Sequence, residues 1–183
     1  MASLAHLPTA IAVAWVFATC MRPVLAQQGL EAEVKAAFVY NFIQFVEWPP
    51  AATVEPSAPF RVCVYGQDPF VSVLERTMRG EQLAGHPLTI ETVPAGEPAT
   101  QCNVLFVPKS QAARTAAALR AAGDGPVLSV GESPNFLSAG GMINLFVEGG
   151  RVRFDVNMSA TSARGLVPSS KLLRIARNTS ERE

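Results

Sequence analysis

The stretch "SVGESPNFLSAGGMINLF", residues 129–146, decides how the rest of the chain is interpreted. It leads from an apolar strand into a glycine, a serine and a proline, and then through Gly140-Gly141 into a second apolar run. Such a loop can cradle a phosphate or expose a nucleophile, or it can simply turn the chain. The sequence lacks the glycine-lysine phosphate loop, the Gly-x-Gly-x-x-Gly dinucleotide motif and the Gly-x-Ser-x-Gly elbow of hydrolases.

A second turn of the same design favours the structural interpretation. Gly66-Gln67-Asp68-Pro69-Phe70 and Gly131-Glu132-Ser133-Pro134-Asn135-Phe136 both follow an apolar strand. Each offers a glycine, an N-cap residue (Asp68 or Ser133), a proline at the first helical position (Pro69 or Pro134) and an aromatic residue. Gly140 and Gly141 would end the second, short helix. We interpret these residues as turns and caps, with anion binding at a helix N-terminus as the alternative.

Apolar periodicity predicts alternating strands and helices along the rest of the chain. Strands are expected at 60–65, 88–93, 103–108, 126–130 and 142–147, and helices at 31–47, about 69–79 and 110–123. This order predicts a single compact α/β domain, three-layered and with a mainly parallel sheet. The first helix has an apolar face that is buried or lies in an interface. Its members are Val34, Ala37, Phe38, Phe42 and Phe45, and Val39, Ile43 and Val46 widen it.

The C-terminal third adds an antiparallel hairpin. Glu148-Gly149-Gly150 predicts a turn into "RVRFDVN", residues 151–157, in which apolar and polar residues alternate. Arg151, Arg153 and Asp155 therefore share the face opposite the apolar one. We take this charged row as a candidate partner-binding surface, the alternative being a solvated face.

The first 26 residues differ from the rest. They are almost wholly apolar between Leu7 and Met21 and end in "VLA" at Ala26, which predicts a cleaved signal peptide over 1–26 and a domain over 27–183. A retained anchor is an alternative because no Lys or Arg precedes the apolar run. A lipoprotein at Cys20 is another, although Thr19 does not suit that motif.

Charge and residue counts narrow the function classes. The chain has 15 basic and 15 acidic residues, and without Arg22 the predicted domain is slightly acidic, so nucleic acid is not an expected partner. Cys63 and Cys102 are the two cysteines after the leader; a structural disulfide is favoured over a metal pair, a redox site or free thiols. His86 is the one histidine there, so we expect no metal, no cofactor and no enzyme activity.

Several blocks together resemble the YfiR-like family of periplasmic proteins. They are "KAAFVYNFIQFVEWP" (35–49), "VCVYGQDPF" (62–70), "CNVLFVP" (102–108), residues 127–157 and "SSKLLRIA" (169–176). The resemblance implies a compact α/β domain, a periplasmic location and a recurrent cysteine pair at Cys63 and Cys102. Some members have a second cysteine pair in the C-terminal third, and this sequence lacks it. Redox control through that second pair is therefore not expected here.

The resemblance also implies a function. The protein would bind and repress the periplasmic sensor region of an inner-membrane signalling enzyme, in the best-understood case a diguanylate cyclase, and so lower cyclic di-GMP and biofilm formation. An outer-membrane lipoprotein would sequester it, and a homodimer is a further expected assembly. The alternative is a periplasmic small-ligand sensor, with a crevice at the strand ends near Gly66 and Gly131.

Overall fold

The computed structural model describes residues 22–52 and 58–180, with side chains from Gln28 onward. Most of the predicted signal peptide lies outside these residues, so the leader stays a prediction. Within them the helices are α1 (Arg22–Phe45), α2 (Phe70–Thr77), α3 (Thr115–Ala121), α4 (Met158–Ser162) and α5 (Ser170–Ile175), with 3-10 helices at Pro50–Ala52 and Lys109–Arg114.

Ten strands lie in the described residues. They are β1 (Val46–Glu47), β2 (Phe60–Tyr65), β3 (Gln82–Leu83), β4 (His86–Val93), β5 (Val104–Val107), β6 (Leu128–Gly131), β7 (Ile143–Glu148), β8 (Arg151–Asn157), β9 (Val167–Pro168) and β10 (Asn178–Ser180). Eight form one sheet in the order β10-β8-β7-β6-β5-β2-β4-β3, and β1 pairs with β9 separately. Strands β4, β2, β5, β6 and β7 run parallel, whereas β7 and β8 form an antiparallel hairpin.

The strands β2, β5 and β6 have apolar side chains on both faces of the sheet, as buried parallel strands do. Helices therefore cover both faces. On one face α1 and α2 contribute Phe42, Ile43 and Leu74 to the core. On the other, Ala118 of α3 packs with Leu105 and Phe136. The predicted α/β class, with three layers, a mainly parallel sheet and a C-terminal hairpin, is confirmed.

The buried side of α1 agrees with the predicted face at Val39, Phe42 and Ile43, and Val46 just after the helix is buried too, but the agreement does not extend along the whole of that face. Ala36, Val39, Phe42 and Ile43 are fully buried, whereas Val34 and Phe45 are more than one third exposed. Ala37 is exposed as well. The helix is apolar on most of its circumference, so periodicity alone does not select the side that meets the sheet.

Two predicted helices take other forms. The helix expected at 110–123 is divided into the 3-10 helix and α3, and Ser110 Oγ donates to Asp68 Oδ2 (2.7 Å) instead of capping it. The helix expected after Ser133 and Pro134 is a run of turns, because Gly140 N donates to Leu137 O, three residues back. Ser133 Oγ contacts Thr115 Oγ1 (3.2 Å).

Candidate functional site

The opening stretch packs around one aromatic ring. Phe136 is fully buried and lies between two glycines that leave room for it. A Cβ added to Gly131 would meet Phe136 Cδ2 at 2.2 Å, and one added to Gly141 would meet Cδ1 at 2.3 Å. Gly140 has a φ of +99° and turns the chain into β7. This geometry accounts for the glycines by packing and turning.

The first turn is also filled by protein side chains. Gly66 has a φ of +77°, and a Cβ there would meet Gln111 Nε2 at 2.7 Å. Asp68 Oδ1 accepts from Phe70 N (2.9 Å), just after Pro69, and Asp68 Oδ2 accepts from Ser110. The loops after β2 and β5 are thereby joined at the edge of the sheet where α/β proteins often bind ligands.

A short polar network closes the neighbouring part of that edge. Glu132 Oε2 accepts from Lys109 N (3.0 Å), and Glu132 Oε1 pairs with Lys35 Nζ (2.5 Å). Lys35 also pairs with Glu31 (2.6 Å). Burial lowers the pKa of Lys35, but the contacts with Glu132 and Glu31 outweigh it and raise that pKa. A crevice of about 250 Å³ remains beside Phe70, below the usual range for ligand pockets of about 300–1,000 Å³.

The hairpin has a regular register and a two-residue turn. Glu148 pairs with Arg151 across a two-residue loop, in which Gly149 and Gly150 have φ values of +57° and +72°. Positive φ at both positions is typical of a type I′ turn, whose twist matches that of the strands. In this register Phe146 lies opposite Arg153.

The predicted charged row lies on one face, but its members differ in their surroundings. Arg151 and Arg153 are exposed, and their side chains have no hydrogen-bond or ion-pair partner within the described residues. Asp155 is only 9% exposed and is bound by Arg177, whose Nε lies 3.0 Å from Oδ1. The Asp155 carboxylate is thus occupied within the protein.

Arg177 organises the edge of this face. Besides Asp155 it contacts Glu148 Oε1 (2.9 Å), and its guanidinium lies 4.2 Å from the centroid of Phe146. Hydrogen bonds to Asp155 and Glu148 raise the pKa of Arg177. We define the hairpin face by these residues: Phe146, Glu148, Arg151, Arg153, Asp155 and Arg177.

An apolar crevice lies on the other side of the hairpin tip. Leu30, Val34 and Val147 are 62%, 36% and 45% exposed, and they line a space of about 310 Å³ with Val152 and Arg151. We name this space the tip crevice. The tip crevice places exposed apolar surface next to Arg151, one of the two arginines without a partner within the described residues.

The predicted cysteine pair and the histidine are both buried. Cys63 and Cys102 form a disulfide buried in the core on the α3 face. His86 is buried, and its Nδ1 lies 2.9 Å from Ala58 O. In the described ranges, no group of three or more His, Cys, Asp or Glu side chains is placed to hold a metal ion. None of the helices described there has the length and apolarity needed to cross a membrane.

Sequence reasoning did not identify Arg177, Phe146 or the tip crevice. Arg177 reaches Asp155 because β10 pairs in parallel with β8. The strand β10 consists of three polar residues, Asn178–Ser180, so the sequence does not predict this pairing. Phe146 could have been found, since β-strand alternation places it on the same face as Arg153.

Two comparisons bear on what this arrangement is. A family model described as YfiR/HmsC-like matches residues 32–177, which include the cysteine pair and the whole hairpin. A crystal structure of a conserved domain protein from Vibrio cholerae O1 biovar El Tor is similar in fold, with a TM-score of 0.51 and 13% identity. That similarity covers 66% of this chain and 54% of the other, so the chain spans about half the length of that protein. Since the family match extends over most of the sequence, the chain belongs to the YfiR/HmsC-like family, whose members are periplasmic regulators.

Proposed function

We propose that this protein is a periplasmic repressor that binds the sensor region of an inner-membrane signalling enzyme, in the first instance a diguanylate cyclase. Binding would hold the cyclase inactive and so lower cyclic di-GMP and biofilm formation. Family membership supports the regulatory role and the periplasmic location. An outer-membrane lipoprotein that competes for the same surface would release the enzyme.

The observation that carries the proposal is the pair of free arginines at the hairpin tip. Arg151 and Arg153 lie on a two-stranded element whose backbone is already ordered, so the ordering cost on binding is confined to their side chains, about 0.5–1.5 kcal/mol each. Arginine is enriched among residues that dominate interface energies. An acidic patch on the partner would complement them and speed association.

The tip crevice supplies the second component of an interface. Stable interfaces combine an apolar centre with a polar rim, and Leu30 and Val147 expose such a centre beside Arg151. A partner residue inserted there would bury apolar surface worth about 25 cal/mol per Å² before the costs of association. We therefore place the partner across the tip, in contact with both sides of the hairpin.

The small-ligand alternative is not favoured at the strand ends where the sequence predicted it. Gln111 fills the space beside Gly66, and Phe136 fills the space beside Gly131. Asp68 and Glu132 are engaged by Ser110 and Lys35.

Isothermal titration calorimetry tests the proposal. The processed protein, purified from periplasm with its disulfide intact, is titrated with the periplasmic region of the membrane cyclase encoded nearest to it. Arg153→Glu should weaken the complex by at least about 1 kcal/mol, roughly fivefold in Kd. Arg79→Glu is the matched control, because Arg79 is also exposed but follows α2, far from the hairpin along the sheet.

The outcomes separate the parts of the proposal. Micromolar or tighter binding that Arg153→Glu weakens and Arg79→Glu leaves unchanged supports both partner and surface. Equal weakening by both variants would indicate a general charge effect and remove the hairpin assignment. No binding at high concentration would remove this cyclase as the partner.

A further inference from the structure

A cavity of about 680 Å³ opens on the α3 face of the sheet. It lies over Ser129 of β6, between α3, α4 and the turn at Ala139-Gly140. Its volume falls within the range of about 300–1,000 Å³ that is usual for small-molecule sites. Neither the hairpin face nor the strand-end crevice includes any of its lining residues.

Apolar side chains form about half of the cavity wall. Val127 and Met142 are 3% and 5% exposed, and Leu119 of α3 lies beside them. Alanines such as Ala116 and Ala160 line the flanks, and their short side chains leave the space open. An apolar molecular body would replace water there with favourable contact.

A buried hydroxyl lies in this wall. Ser129 is 3% exposed, and its Oγ accepts from Met142 N at 3.1 Å. Within the described part of the chain, this hydroxyl donates to no atom. A buried donor without an acceptor loses free energy, and an oxygen atom of a ligand would supply the acceptor.

Two arginines lie at the rim of the cavity, and among the described residues only one of them is engaged by other protein groups. Arg164 donates to the carbonyl oxygen of Gly123 and lies 3.3 Å from Asp124 Oδ1, which ties α4 to the end of α3. Arg120 is exposed, and its side chain has no partner among the described residues. Its guanidinium is therefore available to a carboxylate, the group that it binds best in fork geometry.

We propose that this cavity binds a small organic acid whose apolar body carries a hydroxyl or carbonyl oxygen at the end remote from its carboxylate. The carboxylate pairs with Arg120 at the rim, the body contacts Leu119, Val127 and Met142, and the remote oxygen accepts from Ser129. The site shares no lining residue with the hairpin face, and its test does not require the protein partner.

Two probes test the site on the processed protein with its disulfide intact: 4-hydroxyphenylacetate, which is rigid, and 8-hydroxyoctanoate, which is flexible. Each is compared with its primary amide, which lacks the charge. At saturating concentration the acid should raise Tm by several degrees, and it should shift the backbone amide resonances of Arg120 and Ser129 in ¹H–¹⁵N spectra. The amides should bind at least about tenfold more weakly.

Variants assign the contacts. Arg120→Gln should weaken acid binding about tenfold. Arg114→Gln should leave it unchanged, because Arg114 ends the preceding 3-10 helix and does not line the cavity. Ser129→Ala should abolish the preference for the hydroxylated acid over phenylacetate. The proposal is overturned if neither acid binds the wild-type protein at millimolar concentration, or if Arg120→Gln binds as tightly as wild type.

Discussion

Replacing Gly131 with alanine tests whether the glycines of residues 129–146 are required for packing around Phe136. The new Cβ would lie 2.2 Å from Phe136 Cδ2, well inside the contact distance of two carbon atoms. The ring cannot retreat, because Gly141 lies against its other edge and Phe136 is fully buried. Gly131 is not among the residues with positive φ, so the effect of the substitution is steric.

The expected loss follows from this confinement. Overpacking of a core costs about 1–3 kcal/mol, and a ring held on both sides places Gly131→Ala near about 3 kcal/mol. For a domain of this size each kcal/mol lowers Tm by about 2–4 °C. Differential scanning calorimetry should therefore show Tm lowered by roughly 6–12 °C.

The control is Gly125→Ala, since a Cβ at Gly125 would meet no atom within 4 Å. That variant should stay within about 0.5 kcal/mol of wild type. Adding Phe136→Leu to Gly131→Ala should recover part of the loss, which shows coupling between the two positions. Equal Tm values for the two alanine variants would refute the packing argument and require another role for Gly131.

Three further outcomes are expected. Reducing the Cys63–Cys102 bridge, whose partners are 39 residues apart, should lower the unfolding free energy by about 4 kcal/mol; an unchanged urea midpoint after complete reduction would contradict this. The pKa of Lys35 is raised above its ordinary value of 10.5, so its contribution to stability is full below that pH and is lost as pH rises through the folded-state pKa. Lys35→Met should thus lower Tm by a constant amount from about pH 6 to 9 and by less above 10.5, and a deficit that grows with pH would reverse the sign. Gly150→Ala, at a φ of +72°, should cost about 1–2 kcal/mol in chemical denaturation, and no loss would exclude the type I′ turn.

Two strands could be predicted because each has a strong local signature: a continuous apolar run for the buried parallel strand β2, and alternation of apolar and polar residues for the hairpin strand β8. Phe60–Tyr65 and Arg151–Asn157 were predicted with the bounds that the structure shows. The run of turns after Ser133, where the sequence predicts a short helix, was not predictable in the same way. Its local signals are those of an N-cap and a proline, but the position of Phe136 between two glycines, set by tertiary packing, overrides them.

The candidate site depended on contacts that are distant in sequence. Alternation placed Arg151, Arg153 and Asp155 on one face, but it could not show that Asp155 is occupied. That fact depends on Arg177, 22 residues further on, and on the parallel pairing of β10. Likewise, the tip crevice requires α1 to cross the hairpin, which the periodicity of α1 does not specify.

The side chain of Asn157 lies between the two proposed sites and is hydrogen-bonded to elements that line the cavity. Asn157 ends β8 of the hairpin, and its Oδ1 accepts from Ala160 N (3.1 Å) in α4, which lines the cavity. Its Nδ2 donates to Leu137 O (3.4 Å), in the turn that forms another wall. A ligand can alter partner binding only if it has different affinities for the free and the bound protein, and linkage makes the effect reciprocal. Titrating the partner in saturating 4-hydroxyphenylacetate therefore measures whether the two sites are coupled. A changed partner Kd must be matched by the same factor in the acid's Kd, and an unchanged Kd means that the cavity and the hairpin act separately.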